Sequence, residues 1–256
     1  MSDDSLAGRT ALITGASSGL GRGLARAIAL AGARVAVAAR RRDRLAALVA
    51  EIEQSGGTAL ALDCDVEDEA SIVAAYDAAN ARFGRVDTIV ANAGINREGQ
   101  STTITAADFD AIMNVNVRGV FITAREGARR LIAQPEASAP AGRVLLIGSV
   151  GGLRVLPGLT PYCVSKAAVV MMGRGLAKEW ARHNINVNTL CPGFFETEIN
   201  EEWFRTDAGK KQIARFPRRR LMSTADVLGG ALYLLSDAAR ATSGTSLIVD
   251  DAQETF

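Results

Sequence analysis

Tyr162 and Lys166 stand four residues apart in the run Pro161-Tyr162-Cys163-Val164-Ser165-Lys166-Ala167-Ala168, and in a helix that spacing brings both side chains out on one face. Proline in the first turn helps start such a helix. A phenol of ordinary acidity is a poor base at neutral pH, but a neighbouring ammonium group lowers its pKa. The pair therefore predicts a tyrosine able both to give and to take a proton. Ser149 lies thirteen residues before Tyr162, at the end of a predicted strand, where a hydroxyl can hold a reacting oxygen while its charge changes. A tyrosine and lysine at this spacing also arise by chance as a solvated surface pair, so what surrounds them decides.

The surroundings begin with Thr14-Gly15-Ala16-Ser17-Ser18-Gly19-Leu20-Gly21, set between an apolar run at 10–13 and a helical pattern at 20–31. Glycines let the backbone turn sharply and approach a pyrophosphate, and the positive end of the next helix attracts its charge. The placement predicts a dinucleotide site. Gly15-Ala16-Ser17-Ser18-Gly19 also fits Gly-x-Ser-x-Gly, the nucleophile elbow of serine hydrolases, but that elbow follows several earlier strands and needs a histidine base. The chain has a single histidine, His183, expected to be solvated near a helix end. The second apolar run, at 34–38, leads through Ala39 to Arg40-Arg41-Arg42. An acidic residue there would bond the ribose hydroxyls of NAD(H) and repel a 2′-phosphate. Ala39 does neither, whereas the guanidinium forks of Arg40 and Arg41 match a phosphate, so NADP(H) is expected over NAD(H). Arg42 is expected to be solvated surface.

These residues need a scaffold that gathers strand ends. Short aliphatic runs at 10–13, 34–38, 58–62, 86–91, 143–147, 186–190 and 246–249 read as strands. Helical spacing marks 20–31, 44–54, 70–83 and 161–182. Alternating strands and helices predict an α/β fold, a doubly wound, Rossmann-like, parallel seven-stranded sheet in one domain spanning 1–256. The segment 134–142 is expected as a surface loop, and 194–217, with Trp203 and Phe204, as a substrate lid.

Composition removes other classes. Twenty-nine basic residues against twenty-eight acidic ones give a net charge of +1, which predicts no nucleic-acid or membrane partner. No window is apolar enough to span a membrane, the beginning lacks a secretory pattern, and a cytoplasmic location is expected. Cys64, Cys163 and Cys191 are widely spaced, suit packing in a reducing compartment and predict no metal site.

The Gly-x-x-x-Gly-x-Gly spacing with Thr14 resembles the short-chain dehydrogenase/reductase family, and the resemblance extends over nearly the whole chain. Asp65-Val66 resembles the family's adenine-contacting pair, Asn92-Ala93-Gly94 its fourth-strand ending, and Pro192-Gly193 with Thr197 its nicotinamide-carboxamide segment. Ser149, Tyr162 and Lys166 have the family's catalytic spacing, and Asn116 matches its fourth catalytic residue, which holds a water in a proton relay. The resemblance implies an NAD(P)-dependent oxidoreductase interconverting a carbonyl, of ketone or 3-oxoacyl type, and a secondary alcohol. Its implied cofactor contacts are Gly15, Ser17, Ser18, Gly19, Leu20, Gly21, Arg40, Arg41, Asp65, Val66, Asn92, Ala93, Gly94, Tyr162, Lys166, Pro192, Gly193, Phe195 and Thr197. It also implies a homotetramer, packed through the helices at 106–133 and 161–182. Ser18 departs from the pattern, standing where NADP-preferring members often carry a basic residue. Asp250-Asp251-Ala252 replaces the family's Asp-Gly-Gly. The loop 151–159 with Phe194, Phe195 and Trp203 either lines one mostly apolar side of the substrate cleft, favouring a hydrophobic ketone or alcohol over a free sugar, or packs the lid against the body, while Arg218-Arg219-Arg220 offers an anionic tail a place to bind or is simply solvated. The alternative function is a catalytically silent dinucleotide-binding sensor or scaffold subunit.

Overall fold

A computed structural model describes residues 5–134, 141–195 and 201–253. In chain order it runs β1 (Thr10–Thr14), α1 (Gly19–Leu30), β2 (Arg34–Ala39), α2 (Arg42–Gln54), β3 (Thr58–Asp63), α3 (Glu69–Phe83), β4 (Thr88–Ala91), α4 (Ala106–Met113), α5 (Val120–Ala133), β5 (Gly142–Ile147), α6 (Thr160–Trp180), β6 (Ile185–Pro192), α7 (Glu201–Arg205), α8 (Asp207–Arg215), α9 (Thr224–Leu235) and β7 (Ser246–Val249). The sheet has seven strands in the order β3-β2-β1-β4-β5-β6-β7, and each neighbouring pair is parallel. The doubly wound single-domain architecture expected from the alternating pattern is the one observed.

Strand geometry explains why the runs are apolar throughout, because successive side chains point to opposite faces and both faces are covered. Ile13, Val35, Val37, Leu145 and Ile147 pack toward α1, α2 and α9, meeting Leu24, Ile28, Leu48 and Leu234. Leu12, Ala36, Ile89, Val144 and Leu146 face the other way, onto α3, α5 and α6, through Ile72, Tyr76, Ile122 and Val169. Caps set where helices begin: Asp68 accepts from the Ala70 amide at α3, Thr105 from Asp108 at α4, and Ser223 with Asp226 forms a capping box at α9.

The long helix expected at 106–133 is interrupted. Asn114–Gly119 forms a π-helical turn between α4 and α5, the kind of local widening that often marks a functional site. Asn114-Val115-Asn116-Val117 supplies residues of modest helix propensity there. Chain order doubles back at β1, whose neighbours β2 and β4 lead to opposite halves of the sheet. A crevice opens beyond the carboxyl ends of the strands at such a point. The opposite edge is closed by ion pairs, with buried Arg9 3.4 Å from Asp87 and 2.5 Å from Asp237, and buried Arg143 3.2 Å from Asp237. Among the described residues no helix is long and apolar enough to cross a membrane, and no cluster of His, Cys, Asp or Glu could hold a metal ion.

Candidate active site

A cleft of about 1360 Å³ runs along the carboxyl edge of the sheet, from the glycine turn and Arg40 at one end to Tyr162 and the flap α7–α8 at the other. Its first wall is made by the turn from β1 into α1. Gly15 sits at φ +68°, and a Cβ there would lie 2.8 Å from the Ala93 Cα. At Gly21 an added Cβ would overlap the Asn92 amide and the Gly15 carbonyl. Ser18, the residue before α1, makes no capping bond with its side chain, so the first-turn N–H groups of α1, which helix geometry leaves without intrahelical partners, are open toward the cleft. This cradle fits a dinucleotide pyrophosphate.

Asn92 is chiefly a staple. Its side-chain amide donates to the Thr14 and Gly15 carbonyls at 2.9 and 3.3 Å, while the Asn92 and Ala93 backbone amides donate to the Thr14 hydroxyl at 3.2 and 3.3 Å. β1 and β4 are thereby tied together at the crevice. Arg41 reaches across the turn, donating to Ser17 Oγ at 3.1 Å and Ser18 Oγ at 2.5 Å. Arg40 lies 3.8 Å from Asp65, and Asp65 and Val66 line the same end of the cleft. Exposed Arg42 turns outward and pairs with Asp63, as expected for a surface residue.

At the far end, Ser149, Tyr162 and Lys166 converge. Ser149 follows β5 and accepts from the Gly151 amide at 3.0 Å, and its hydroxyl also hydrogen-bonds the Tyr162 phenol. The Lys166 ammonium, 4% exposed, donates to the Ile147 carbonyl at 2.8 Å and lies 5.7 Å from the centre of the Tyr162 ring. The geometry alters the expected acidity. Burial raises the Tyr162 pKa, and the Ser149 bond only partly counters it, while burial pushes Lys166 down to about 8. Burial of the phenol thus opposes the lowering expected from Lys166. The ammonium is bound to a carbonyl beneath the ring, and the loss of water around both groups outweighs their proximity.

Asn116 is the fourth of the expected catalytic residues. It lies in the π-helical turn and is fully buried. Its side chain accepts from the Ile95 amide at 2.8 Å and donates to the Ile95 carbonyl at 2.9 Å and to Ser165 Oγ at 3.0 Å. Ser165 in turn donates to the Tyr162 carbonyl at 2.7 Å. An amide committed in this way braces the helix that carries Tyr162.

Cys64 and Cys191 are buried, with thiols pushed up to about 11 by burial, and Cys163 is half-buried. Packing accounts for the two buried thiols. His183 is partly exposed in a short turn after α6, far along the chain from the glycine turn and unsuited to a hydrolase elbow.

Of the segment 194–217, expected as a substrate lid, residues 196–200 lie outside the described residues. Phe195 pairs with Met222 through an isolated bridge, and Phe194 stacks on Phe216 with ring centres 5.5 Å apart. Phe204 packs edge-on against Phe194 and Trp203. Thr197 lies outside the described residues. Pro192, Gly193 and Phe195 line the cleft.

Sequence reasoning missed what holds the lid. Gln253 accepts from the Phe194 amide at 2.5 Å and donates to the Phe194 carbonyl at 2.9 Å and the Arg220 carbonyl at 3.4 Å. Asp251 pairs with Arg218 at 3.0 Å and Arg220 at 2.8 Å. One C-terminal turn thus grips both ends of the lid. Asp251 and Ala252, at φ 54° and 60°, occupy a left-handed conformation that glycine adopts more readily. The departure from Asp-Gly-Gly supplies the Asp251 carboxylate at the expense of backbone strain. These pairs partly neutralise Arg218 and Arg220.

Comparison with known proteins agrees with the geometry. Residues 9–208 match the family profile described as short chain dehydrogenase. An uncharacterized oxidoreductase of Mycobacterium tuberculosis (strain H37Rv) is 37% identical, over 94% of this chain and 90% of its own. The D-threitol dehydrogenase of Mycolicibacterium smegmatis is 34% identical, over 97% of this chain and 94% of its own. The crystal structure of a gluconate 5-dehydrogenase from Burkholderia cenocepacia, in complex with NADP and tartrate, matches with a TM-score of 0.92 at 35% identity, covering 100% of this chain and 98% of that one.

Proposed function

The chain belongs to the short-chain dehydrogenase family, and from that premise we propose that it interconverts a carbonyl, of ketone or 3-oxoacyl type, and a secondary alcohol, with Tyr162 as acid and base and NADP(H) preferred to NAD(H). The observation that carries this is the meeting of Ser149, Tyr162 and Lys166 in the same cleft that begins at the glycine turn. When bound, the nicotinamide supplies or accepts the hydride.

Ser149 holds the substrate oxygen, its own hydroxyl oriented by the Gly151 amide. Burial keeps the Tyr162 phenol protonated at neutral pH, which suits it to donate to the carbonyl oxygen during reduction; in oxidation it takes the proton back. Lys166 is charged below about pH 8, and we assign it the ribose hydroxyls and a supporting charge beside the phenol. Asn116, through Ser165, is a positioning residue for Tyr162.

For the cofactor, Ala39 offers no carboxylate, and Arg41 with Ser17 and Ser18 forms a cluster of donors at the adenosine end; the relative solved with NADP supports the same preference. Relatives named for threitol and gluconate favour a hydroxylated small molecule as substrate. A homotetramer in the cytoplasm completes the proposal. Its support is exposed apolar surface on the predicted interface helices, Phe121 at 38% on α5 and Met171 at 63% on α6.

Hydride-transfer assays with NADPH and NADH against a panel of ketones and secondary alcohols test the proposal. Turnover with a higher kcat/KM for NADPH is expected. A higher value for NADH overturns the cofactor preference, and dinucleotide binding without turnover of any compound favours the silent sensor instead.

A further inference from the structure

We propose that the lid carries an anion subsite, in which Lys211 and Arg215 on the cleft face of α8 bind a carboxylate of the substrate while its reacting carbon lies at Ser149 and Tyr162. This rests on the oxidoreductase proposal above and names the substrate class for the same site.

The observation is the orientation of α8. Ala208, Lys211, Gln212 and Arg215 all line the cleft, and their spacing of three, four and seven residues is that of one helix face. The apolar neighbours go elsewhere: Phe216 is buried and stacks on Phe194, Ile213 is half-buried, and Gly209 packs against Trp203 and Phe204. A lid that served only to shed water from an apolar substrate would turn its apolar side inward, whereas α8 turns in two cations and an amide. The apolar side expected from the loop 151–159 and Trp203 is present, with Leu156, Trp203 and Phe204 in the wall, and α8 adds a charged side to it.

The two cations are also set apart from their neighbours. Arg218 and Arg220 are both held by Asp251, and Arg125 and Arg130 are held by Glu69 and Glu126. Neither Lys211 nor Arg215 makes an ion pair with a carboxylate among the described residues. Among those residues the acidic groups lining the cleft are Glu98, on its rim, and Asp65, beside Arg40 at the adenine end. Among the described residues, one acid at the lid end against two cations makes that end positive. Arg215 offers a planar fork and Lys211 a compact charge, a combination that suits a carboxylate. Closure over substrate would thin the water between them and strengthen the attraction.

The test uses acids beside neutral partners of similar shape: gluconate against sorbitol, tartrate against threitol, and an oxo acid against its amide. Binding to the NADPH-loaded enzyme is followed by nicotinamide fluorescence, and kcat/KM is measured for each pair that turns over. The acid member should be favoured about tenfold or more at low salt, with the advantage shrinking as ionic strength rises. The variant carrying Lys211→Met and Arg215→Met should lose that advantage with NADPH affinity unchanged. Lys211→Arg should keep it, and so should Lys210→Met, which alters an exposed lysine absent from the cleft wall. Neutral partners bound as well as acids, an acid preference that survives the double variant, or no acid bound by the wild type would each overturn the subsite. A double variant whose defect falls on NADPH affinity would assign the two cations to cofactor phosphate and overturn it too. In all these cases reduction of a neutral ketone would leave the oxidoreductase proposal standing, and only its absence with every substrate would defeat that proposal instead.

Discussion

The glycine turn and the flap α7–α8 face each other across one cleft, but they are held by different means. On the cofactor side, β1 and β4 are central strands, Ile13 and Val90 are fully buried, and Asn92 ties the two strand ends through Thr14 and Gly15. Everything there is anchored to the sheet. The segment we propose as a lid is, among its described residues, anchored mainly at its ends, where Gln253 and Asp251 hold Phe194, Arg218 and Arg220, and its described packing is a small aromatic group around Phe194. The first arrangement keeps a phosphate cradle preorganised. The second, among its described residues, rests on fewer anchors, which suits the moving lid we propose.

The sharpest way to break this contrast is to crowd the anchored side. Gly21→Ala would drive a methyl group into Asn92 and Gly15, and NADPH affinity should fall by about 100-fold or more as the turn shifts from the α1 N-terminus; fluorescence titration with unchanged affinity would show that the cradle is not rigid. Lys166 lies between the two regions, and its pKa near 8 stands below the ordinary 10.5. The unfolded chain then binds more protons than the folded one between about pH 8 and 10.5, so this group makes folding more favourable as pH rises through that window, by at most about 3 kcal/mol. Lys166→Met should remove that rise. Denaturant unfolding of the cofactor-free protein checks it, and parallel pH profiles for variant and wild type would contradict it.

Smaller effects sharpen the contrast. Arg41→Ala should lower kcat/KM for NADPH about 10- to 100-fold, the value of charged hydrogen bonds to a phosphate, and leave NADH within about threefold. Equal losses for both cofactors would mean that Arg41 only braces Ser17 and Ser18. Gln253→Ala, which loosens one end of the lid, should raise the substrate KM about 3- to 10-fold and leave NADPH affinity alone. A defect confined to NADPH would place the C-terminal turn with the cofactor side.

The anchored half was legible in the chain because its signals are local. Apolar runs mark the strands, glycines sit where Gly15 and Gly21 leave no room for a Cβ, and Arg40-Arg41 follows directly on β2. The resemblance to a family supplied the order of Asn92, Ser149, Tyr162 and Lys166. What escaped depends on tertiary placement. Gln253 lies 59 residues from Phe194, and no periodicity announces that bond. Helical spacing groups Lys211 with Arg215, but only packing decides that this face meets the cleft. The commitment of Asn116 to Ile95 and Ser165 follows from the π-helical turn, for which the polar and β-branched run at 114–117 was the available hint. The direction of Lys166, toward Ile147, follows from how closely α6 crosses the end of β5.

The central claim is that the buried Tyr162 phenol transfers the substrate's proton, and Tyr162→Phe tests it most directly. Steady-state turnover should drop by about 10³-fold, within the range acid and base catalysis contributes, while NADPH affinity measured on the same preparation stays within about threefold of wild type. Wild-type kcat in the phenylalanine variant would contradict the account.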